Sequence, residues 1–414
     1  MVYLRYLIMA NKPRIRFRGF TEDWEQRKLD DIVKIKTGGG TPKTTNPEYW
    51  SGDIPWIQSS DLVEGDIVHV NINKYINDRA LKNSAAKLIS RDSIALVTRV
   101  GVGKVAVINQ DFTTSQDFLS LSNFDGNDIK FFAYQLYRLM QENAKILQGT
   151  SIKGITKTDL IEQSIVIPSS IQEQNLIANV LSKIDSIITL HQHKLKKLNL
   201  AKKALLQKLF PRNGSQFPVV RFKGFTDAWE QRKLGDLAEI VRGASPRPIS
   251  DPKWFDNNSD VGWLRIADVT AQDGRIRYLE QKISELGQEK TRVVKIPHLL
   301  LSIAATVGKP VINYVPTGVH DGFLIFLNPK FNILYTFWWL EMFREKWNKY
   351  GQPGSQVNLN SDLVKNQVIN IPNEKEQEKI SSFLESLDKI ITLHQRKLEK
   401  LQEVKKGLLQ KMFV

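Results

Sequence analysis

The sequence contains no cysteine among its 414 residues. It therefore has no disulfide framework, no thiolate metal site and no cysteine nucleophile, which suits a reducing cytoplasm. No apolar run approaches the ~20 residues that a membrane-spanning helix needs. The apolar opening, Met1–Met9, is short and interrupted by Arg5, so we interpret residues 1–13 as a tail and not as a signal peptide.

Complete catalytic motifs are absent from the sequence as well. The six histidines are scattered, and no spacing joins them to carboxylates in a metal site. The segments Gly101–Lys104 and Thr306–Lys309 lack the earlier Gly and the following Ser or Thr of a Walker phosphate loop. Asn46–Tyr49 departs from the Asn-Pro-Pro-Tyr loop of amino-methyltransferases because Glu48 replaces the second proline. We expect turns at these places, and we assign no catalytic and no metal-binding residue.

Positive charge is what the sequence has in excess. The formal net charge is +15 and the isoelectric point is about 9.6. One interpretation is a solvated basic surface without a specific partner. The other is a polyanionic partner, because counterion release makes the binding of a basic protein to nucleic acid favourable. Composition favours nucleic acid over the plain basic surface.

A repeat covers almost the whole chain. Arg14–Leu29 returns 205 residues later as Val219–Leu234, including the segment Trp-Glu-Gln-Arg-Lys-Leu. Near the end of each half, apolar residues recur at alternating steps of four and three, as in a coiled-coil seam. We predict helices over Gln174–Phe210 and Gln377–Phe413, each roughly 55 Å long at about 1.5 Å per residue. The two seams are Ile177, Leu181, Ile184, Ile188, His191, Leu195 and Leu198, and, 203 residues later, Ile380, Leu384, Leu387, Ile391, His394, Leu398 and Leu401.

Neither helix can bury its apolar stripe alone, so we predict that the two helices pack on each other. The second helix must return towards the first domain, which favours an antiparallel coiled coil. His191 and His394 are expected to lie close to each other near the axis and to fix the register. Acidification would then loosen the helix pair, because two charged imidazoles repel. The lysine-rich run Lys194–Lys203 is left open as a solvated face, an interhelix face or a DNA contact.

The remaining sequence predicts globular parts. Short β-rich runs such as Ser93–Val100 and Val105–Ile108 alternate with turn residues, and a helix follows at about 128–147 and again at about 332–350. We predict a mixed α/β (α+β) fold with two similar globular domains, two long helices and a pseudo-two-fold internal repeat. The predicted boundaries are 1–168 for the first domain, 169–212 for the central helix and linker, 213–371 for the second domain and 372–414 for the C-terminal helix.

The middles of the two domains diverge far more than their ends. Such divergence is typical of domains that recognise different targets within a common frame. We align Lys104 with Lys309 and Asp117 with Asp321. The Gly-rich loops Thr37–Thr45 and Arg242–Arg247 carry donors that suit phosphate oxygens and groove edges, with a disordered surface loop as the alternative. Lys104 and Lys309 follow Gly turns and either contact a DNA phosphate or belong to plain hairpins.

Taken together, these residues resemble the specificity subunit of type I restriction–modification enzymes. The resemblance rests on the Phe-Arg/Lys-Gly-Phe segments at Phe17 and Phe222, the segments at Trp24 and Trp229, and the Ile-Pro and Glu-Gln pairs that open each long helix. It covers residues 14–414. It implies that each globular part is a target recognition domain that contacts one half of a split double-stranded DNA sequence, with the helices as spacers.

The resemblance also implies partners and cofactors. Two modification subunits would dock on the helices, carry S-adenosylmethionine and methylate adenine. Restriction subunits would supply ATP-driven translocation and cleavage with Mg²⁺. This cytoplasmic chain would hold no cofactor and have no catalytic activity alone. The candidate DNA-binding residues are Lys43, Thr44, Ser59, Arg99, Lys104, Lys153, Arg242, Arg247, Arg265, Lys309 and Gln356.

Two rival functions remain open from the sequence. A self-contained methyltransferase or nuclease would need a complete catalytic motif. A basic coiled-coil scaffold would need no DNA preference at all.

Overall fold

The computed structural model describes residues 11–148, 154–212, 214–303, 306–350 and 359–414. The chain forms two compact units, residues 1–193 with 395–414, and residues 194–394. Each unit holds one globular part, the N-terminal half of one long helix and the C-terminal half of the other. The predicted boundaries at 168 and 371 separate the helices from the globular parts, whereas the structure divides each helix between the two units.

The first unit is built from three small sheets and a covering helix. A four-stranded antiparallel sheet has the order Ile35–Gly38, Phe118–Ser122, Ser93–Val97, Val105–Ile108. The other sheets are Tyr75–Ile76, Ile54–Ile57 and Thr113–Thr114, and the pair Glu25–Lys28 with Ser164–Ile167. The helices and helical turns are Leu29–Ile32, Pro47–Trp50, Ser59–Asp61, Asp78–Lys82, Ile129–Gln148 and Lys157–Ile161.

Burial explains the sequence pattern of this sheet. Ser93–Val97 and Phe118–Ser122 are buried at every residue, so their serines lie inside the protein, where the Ser93 and Ser122 hydroxyls are hydrogen-bonded at 2.6 Å. Helix Ile129–Gln148 begins where the Asp128 carboxylate accepts a hydrogen bond from the Phe131 N–H at 2.7 Å. Its aromatic side chains join the main core of the unit.

The second unit repeats this plan with a larger sheet. Five strands run in the order Glu239–Arg242, Phe323–Leu327, Leu299–Ser302, Pro310–Asn313, Arg275–Ile276. The smaller sheets are Gly262–Trp263, Thr317–Val319 and Arg292–Val294, and the pair Glu230–Lys233 with Val368–Ile371. The helices and helical turns are Leu234–Leu237, Pro252–Trp254, Ile266–Ala271, Glu285–Gln288, Ile333–Phe343, Arg344–Tyr350 and Ser361–Lys365.

One element differs from its prediction. The helix expected over about 332–350 is α-helical only over Ile333–Phe343 and continues as a 3₁₀ turn over Arg344–Tyr350. The turn places the fully buried Trp347 ring 4.8 Å from the Phe343 ring. The Trp347 ring is part of the main core of the second unit.

The long helices span Ile171–Leu209 and Glu374–Lys411, close to the predicted bounds. In the first unit, Ile177 and Leu181 share a core with Leu409 and Met412. Residue numbers rise along one helix as they fall along its neighbour, so the two helix halves are antiparallel. The second unit repeats this pairing, with Ile380 and Leu384 beside Leu209 and Phe210. The prediction of antiparallel helices is thus confirmed within each unit.

An interhelix ion pair lies in each helix pair. Lys405 pairs with Asp185 in the first unit, and Lys202 pairs with Asp388 in the second. Lys202 and Lys405 continue the two seams four residues after Leu198 and Leu401, where an apolar residue is expected. An aspartate on the facing helix explains the lysine at each of these places. These ion pairs could have been predicted from the sequence, because the repeat places Asp388 at the position equivalent to Asp185.

The described seam residues are buried or half-buried throughout. His191 is buried, with 8% of its surface exposed, and His394 is half-buried. The two histidines belong to different units, so their expected pairing and its response to acid stay predictions.

The repeated segment near the start of each half ties the chain to a long helix. Arg16 forms two hydrogen bonds, at 2.6 and 2.9 Å, with the fully buried Glu173 carboxylate. Arg221 forms the equivalent pair with Glu376, both at 2.8 Å. The main chain repeats as well, since the Ile15 N–H donates to the Lys411 carbonyl at 2.8 Å and the Val220 N–H donates to the Lys208 carbonyl at 3.0 Å.

Candidate nucleic-acid interface

Each unit carries a groove whose lining includes polar and basic side chains as well as apolar ones. The groove of the second unit, here called the second groove, has a volume of about 810 Å³. Its functional lining residues are Ser245, Arg247, Trp263, Arg265, His320 and Asp321. The first groove, in the first unit, has a volume of about 600 Å³ and is lined by Thr98, Arg99, Gln116, Asp117, Gly154 and Lys157, among others.

Main-chain hydrogen bonds show which residues of the two grooves are equivalent. The Phe118 N–H donates to the Ser115 carbonyl, and the Phe323 N–H donates to the His320 carbonyl. Ser115 is therefore the equivalent of His320, and the next residue, Gln116, is the equivalent of Asp321. The sequence alignment of Asp117 with Asp321 is wrong by one residue. It matched two acidic residues, whereas the equivalent positions in the turn are set by the register of the strands.

Asp321 organises one side of the second groove. Its carboxylate accepts hydrogen bonds from Ser245 Oγ at 2.8 Å and Arg247 Nη2 at 3.0 Å, and its main-chain carbonyl accepts one from Arg242 Nε at 2.6 Å. The Ser245 hydroxyl and the Arg247 charge hold the pKa of Asp321 below its ordinary value. The structure thus brings together Arg242 and Arg247, two residues selected from the sequence.

Arg265 lies just before the short helix Ile266–Ala271 and is held by Asp268. This carboxylate accepts hydrogen bonds from the Arg265 main-chain N–H at 2.9 Å, from Nε at 3.1 Å and from Nη2 at 2.9 Å. The hydrogen bonds with Asp268 raise the pKa of Arg265 above its ordinary value. In the first unit, the Gln58 N–H donates to Asp61 at 2.9 Å in the same cap, so Gln58 is the equivalent of Arg265.

His320 has a defined tautomer in the second groove. The Gly322 N–H donates to His320 Nδ1 at 2.9 Å, so the ring proton lies on Nε2. The ring packs edge-on against Phe323 at 4.8 Å and lies 5.9 Å from the Trp263 ring. Burial lowers the pKa of His320, which favours the neutral ring with an Nε2–H donor.

In the first unit, two tryptophans hold the loop that contains Lys43 and Thr44. Trp56 Nε1 donates to the Gly40 carbonyl at 3.0 Å, and Trp50 Nε1 donates to the Lys43 carbonyl at 3.4 Å. The Lys43 and Thr44 side chains are exposed. This anchored loop differs from the disordered surface loop that the sequence left open.

The remaining candidates of the first unit are partly engaged with the protein itself. Lys104 Nζ donates to the Ser59 carbonyl at 2.8 Å, and Ser59 Oγ donates to the Val100 carbonyl at 2.7 Å. Arg99 is exposed and lines the first groove. Lys153 and Gln356 lie outside the described residues.

Lys309 is the candidate most enclosed by protein. Its Nζ lies 2.6 Å from Asp273 and 2.7 Å from Glu341, and 13% of its side chain is exposed. Burial alone would lower the pKa of Lys309, but the two carboxylates outweigh burial and raise it. A contact between Lys309 and a DNA phosphate stays a prediction, and it would require both ion pairs to open.

Several groove residues were missed from the sequence, namely Gln116, Lys157, Trp263, His320 and Asp321. Gln58, the equivalent of Arg265, was missed as well. One signal was available for Trp263, because Trp56 recurs at the same place in the repeat. Among the described residues, no group of three or more His, Asp or Glu is arranged to hold a metal ion. In the same part of the chain, no helix is both long and apolar enough to cross a membrane.

The fold and the two grooves define an internally repeated protein with a separate candidate DNA-binding surface in each half. The chain belongs to the family described as the type I restriction modification DNA specificity domain, whose profile matches residues 21–200 and again residues 226–403. This match confirms both the family resemblance and the internal duplication that were inferred from the sequence.

Individual relatives agree with this assignment. The chain is 27% identical to the type I restriction enzyme MjaIX specificity subunit of Methanocaldococcus jannaschii, over 94% of this chain and 93% of that one. It is 23% identical to the MjaVIII specificity subunit of the same organism, over 94% and 91%. Among solved structures, the S subunit of a type I restriction–modification system from M. genitalium has the same fold, with a TM-score of 0.64, 17% identity and coverage of 97% and 99%.

Proposed function

We propose that this chain is the DNA specificity subunit of a type I restriction–modification complex, in which each unit recognises one half of a bipartite DNA target. The main observation in support is that the two units share one frame but carry different side chains at equivalent places. Gln58 and Gln116 in the first unit are replaced by Arg265 and Asp321 at the equivalent places in the second. Different donors and acceptors on a common frame suit the recognition of two different base sequences.

Two modification subunits would dock on the long helices, one on each unit. Leu190 and Leu393, at the same place in the two helices, are 66% and 65% exposed, and Ile187 and Ile390 beside them are also exposed. Apolar side chains repeated on a helix surface are typical of a protein-binding site. Since this surface occurs once in each half, the proposed stoichiometry is two modification subunits per chain.

The proposed chemistry lies on those partners. The modification subunits would bind S-adenosylmethionine and methylate adenine in cytoplasmic DNA. The restriction subunits would use ATP and Mg²⁺ for translocation and cleavage. This chain would supply the choice of sequence and no reacting group.

The test is to express the full chain with its modification subunits and to map methylated adenines on a random DNA library. We expect one split sequence, and replacing residues 37–149 with those of a relative should change one half of it. If both halves change, the two units do not read independently. Methyl transfer by the purified chain alone would support the enzyme alternative, and methylation without sequence preference would support the scaffold alternative.

A further inference from the structure

The second groove contains one arginine whose guanidinium is held in a fixed plane by the protein. We propose that Arg265 is a specificity-determining residue that reads a guanine in the half-site of the second unit. This inference rests on the proposed function, because it assigns one base contact within that DNA target. It follows from how Asp268 holds the side chain, from the charge around it and from its equivalent in the first unit.

Arg265 lines the second groove, and 38% of its side chain is exposed. The Asp268 carboxylate accepts hydrogen bonds from Nε and Nη2 of Arg265, at 3.1 and 2.9 Å, and these two bonds fix the guanidinium plane. The adjacent edge of the guanidinium, formed by Nη1 and Nη2, is a planar fork of donors, and Glu280 accepts a hydrogen bond from its Nη2 at 3.4 Å. Guanine is the base whose major-groove edge offers two adjacent acceptors, O6 and N7, to such a fork. Because the side chain is already ordered, little conformational entropy is lost on binding.

The surrounding charges favour a base over a phosphate. Arg265 lies between two carboxylates, since Glu280 is within 3.4 Å of Nη2 in addition to Asp268. The summed charge of Arg265, Asp268 and Glu280 is therefore negative, and both carboxylates would repel a phosphate. A neutral guanine edge carries no such penalty. The Glu280 side chain is 78% exposed and is free to turn into solvent when a base approaches.

The rest of the groove also presents hydrogen-bond donors. His320 lines the same groove with its proton on Nε2, as fixed by the Gly322 N–H. Thymine and adenine do not present two acceptors side by side in the major groove.

Other arginines of this unit do not combine these features. Arg247 lines the groove, but 79% of its side chain is exposed and one hydrogen bond to Asp321 holds it. Arg275 is 12% exposed, pairs with Glu385 and stacks on Phe337. Arg242 and Arg292 donate through Nε to main-chain carbonyls.

The experiment uses the full chain in complex with modification subunits and measures methylation of a library in which every target position is randomised. Arg265→Lys keeps the charge and the main-chain cap but removes the planar fork. Arg265→Gln introduces the residue that the first unit carries at Gln58. Arg277→Gln, an exposed arginine outside the groove residues, is the control for loss of one charge.

We expect the unmodified complex to require guanine at one position of the second half-site. Both Arg265 variants should lose that preference by roughly 5- to 150-fold, the equivalent of one good bidentate contact, and should leave the first half-site unchanged. The control should keep the whole target. Thermal unfolding of each variant, compared with the unmodified chain, distinguishes a loss of base recognition from a loss of folding.

Three outcomes would overturn the assignment: a second half-site with no required guanine, an Arg265→Lys variant that keeps the guanine preference, or a uniform loss of methylation across all sequences. Failure of the proposed function looks different, because the unmodified complex would then methylate without any split sequence preference.

Discussion

In the first unit, Thr41 donates to the Gln116 side chain at 3.0 Å, whereas in the second unit Ser245 donates at the same place to Asp321 at 2.8 Å. The hydroxyl and its position in the turn are retained, but a neutral amide has become a carboxylate that also binds an arginine. By contrast, the Arg16–Glu173 and Arg221–Glu376 pairs are chemically identical. Residues that attach a unit to its helix are kept between the halves, and residues that line its groove are exchanged.

The largest expected effect concerns the interhelix ion pairs, which are similar in chemistry but unequal in burial. The Lys405 and Asp185 side chains are 8% and 3% exposed, and Tyr134 also donates to Asp185 at 2.6 Å. In the second unit, Lys202 and Asp388 are each 21% exposed. Asp185→Ala would leave the buried Lys405 ammonium without its carboxylate, although the Gly65 carbonyl still accepts a hydrogen bond from it. We therefore expect the free energy of unfolding to fall by about 3–5 kcal/mol.

The matched variant is Asp388→Ala, with an expected loss of about 1 kcal/mol because water reaches Lys202. Chemical denaturation followed by circular dichroism measures both. Equal losses for the two variants would contradict the role assigned to burial. The double variant Asp185→Leu with Lys405→Met should recover most of the stability, because no charge is then left unpaired.

The next effect tests whether the two helices offer equivalent docking surfaces. Ile187→Asp with Leu190→Asp should lower the affinity for one modification subunit by about 2–3 kcal/mol, since apolar area is no longer buried on binding. Native mass spectrometry should then detect one modification subunit per chain in place of two. Ile390→Asp with Leu393→Asp is the matched change in the second unit, and retention of two subunits in both variants would place the docking surface elsewhere.

A smaller effect concerns pH and only the second unit. Burial lowers the pKa of His320 below its ordinary value of 6.5, partly offset by Asp321. Both the folded and the unfolded state are neutral well above pH 6.5. Below it the unfolded state takes up the proton first, so the free energy of unfolding falls as the pH decreases, by less than about 1.4 kcal/mol per pH unit.

His320→Asn keeps an acceptor for the Gly322 N–H and cannot titrate in this range. Unfolding curves measured from pH 7.5 to 5 should therefore be flatter for this variant than for the unmodified chain. If the two slopes agree, protonation of His320 does not contribute to the acid response.

The smallest effect distinguishes an exposed lysine from an enclosed one. Lys43→Gln should weaken DNA binding for all sequences alike and reduce the salt slope by about one, the value for one lost phosphate contact. Lys309→Gln should instead lower stability, because Asp273 and Glu341 lose their shared cation. Fluorescence titrations at several salt concentrations, together with thermal unfolding, measure the two quantities. A change of slope for Lys309→Gln with unchanged stability would reverse this assignment.

The sequence predicted what depends on local spacing. The seam residues, the long helices and the duplication all follow from intervals that can be counted along the chain, and they agree with the structure. Long-range packing was not predictable in this way. Asp273 lies on a turn and Glu341 on a helix, and only the folded chain brings both to Lys309.

The candidate site shows the same limit. Asp117 and Asp321 align because both are aspartates, but the main-chain hydrogen bonds show that Gln116 is the structural equivalent of Asp321. Arg265 was selected from its place in the repeat, but the role of Asp268 in fixing the plane of its guanidinium was not predicted. The hydrogen-bond partners of these residues depend on how the turns fold, and a single sequence does not record that.

The hydrogen bond from Ile15 to Lys411 has a consequence for the order of the chain. It joins the beginning of the described chain to the end of the second long helix, in the way that Val220 and Lys208 join the two halves across the central linker. Each unit therefore contains an equivalent junction, in which a segment near the start of one repeat is hydrogen-bonded to the end of a long helix. In the second unit the linker also connects these two segments covalently, whereas in the first unit hydrogen bonding joins them. A circularly permuted chain, opened in the linker 211–215 and closed between residues 414 and 14, would pass through the same two units in the opposite order.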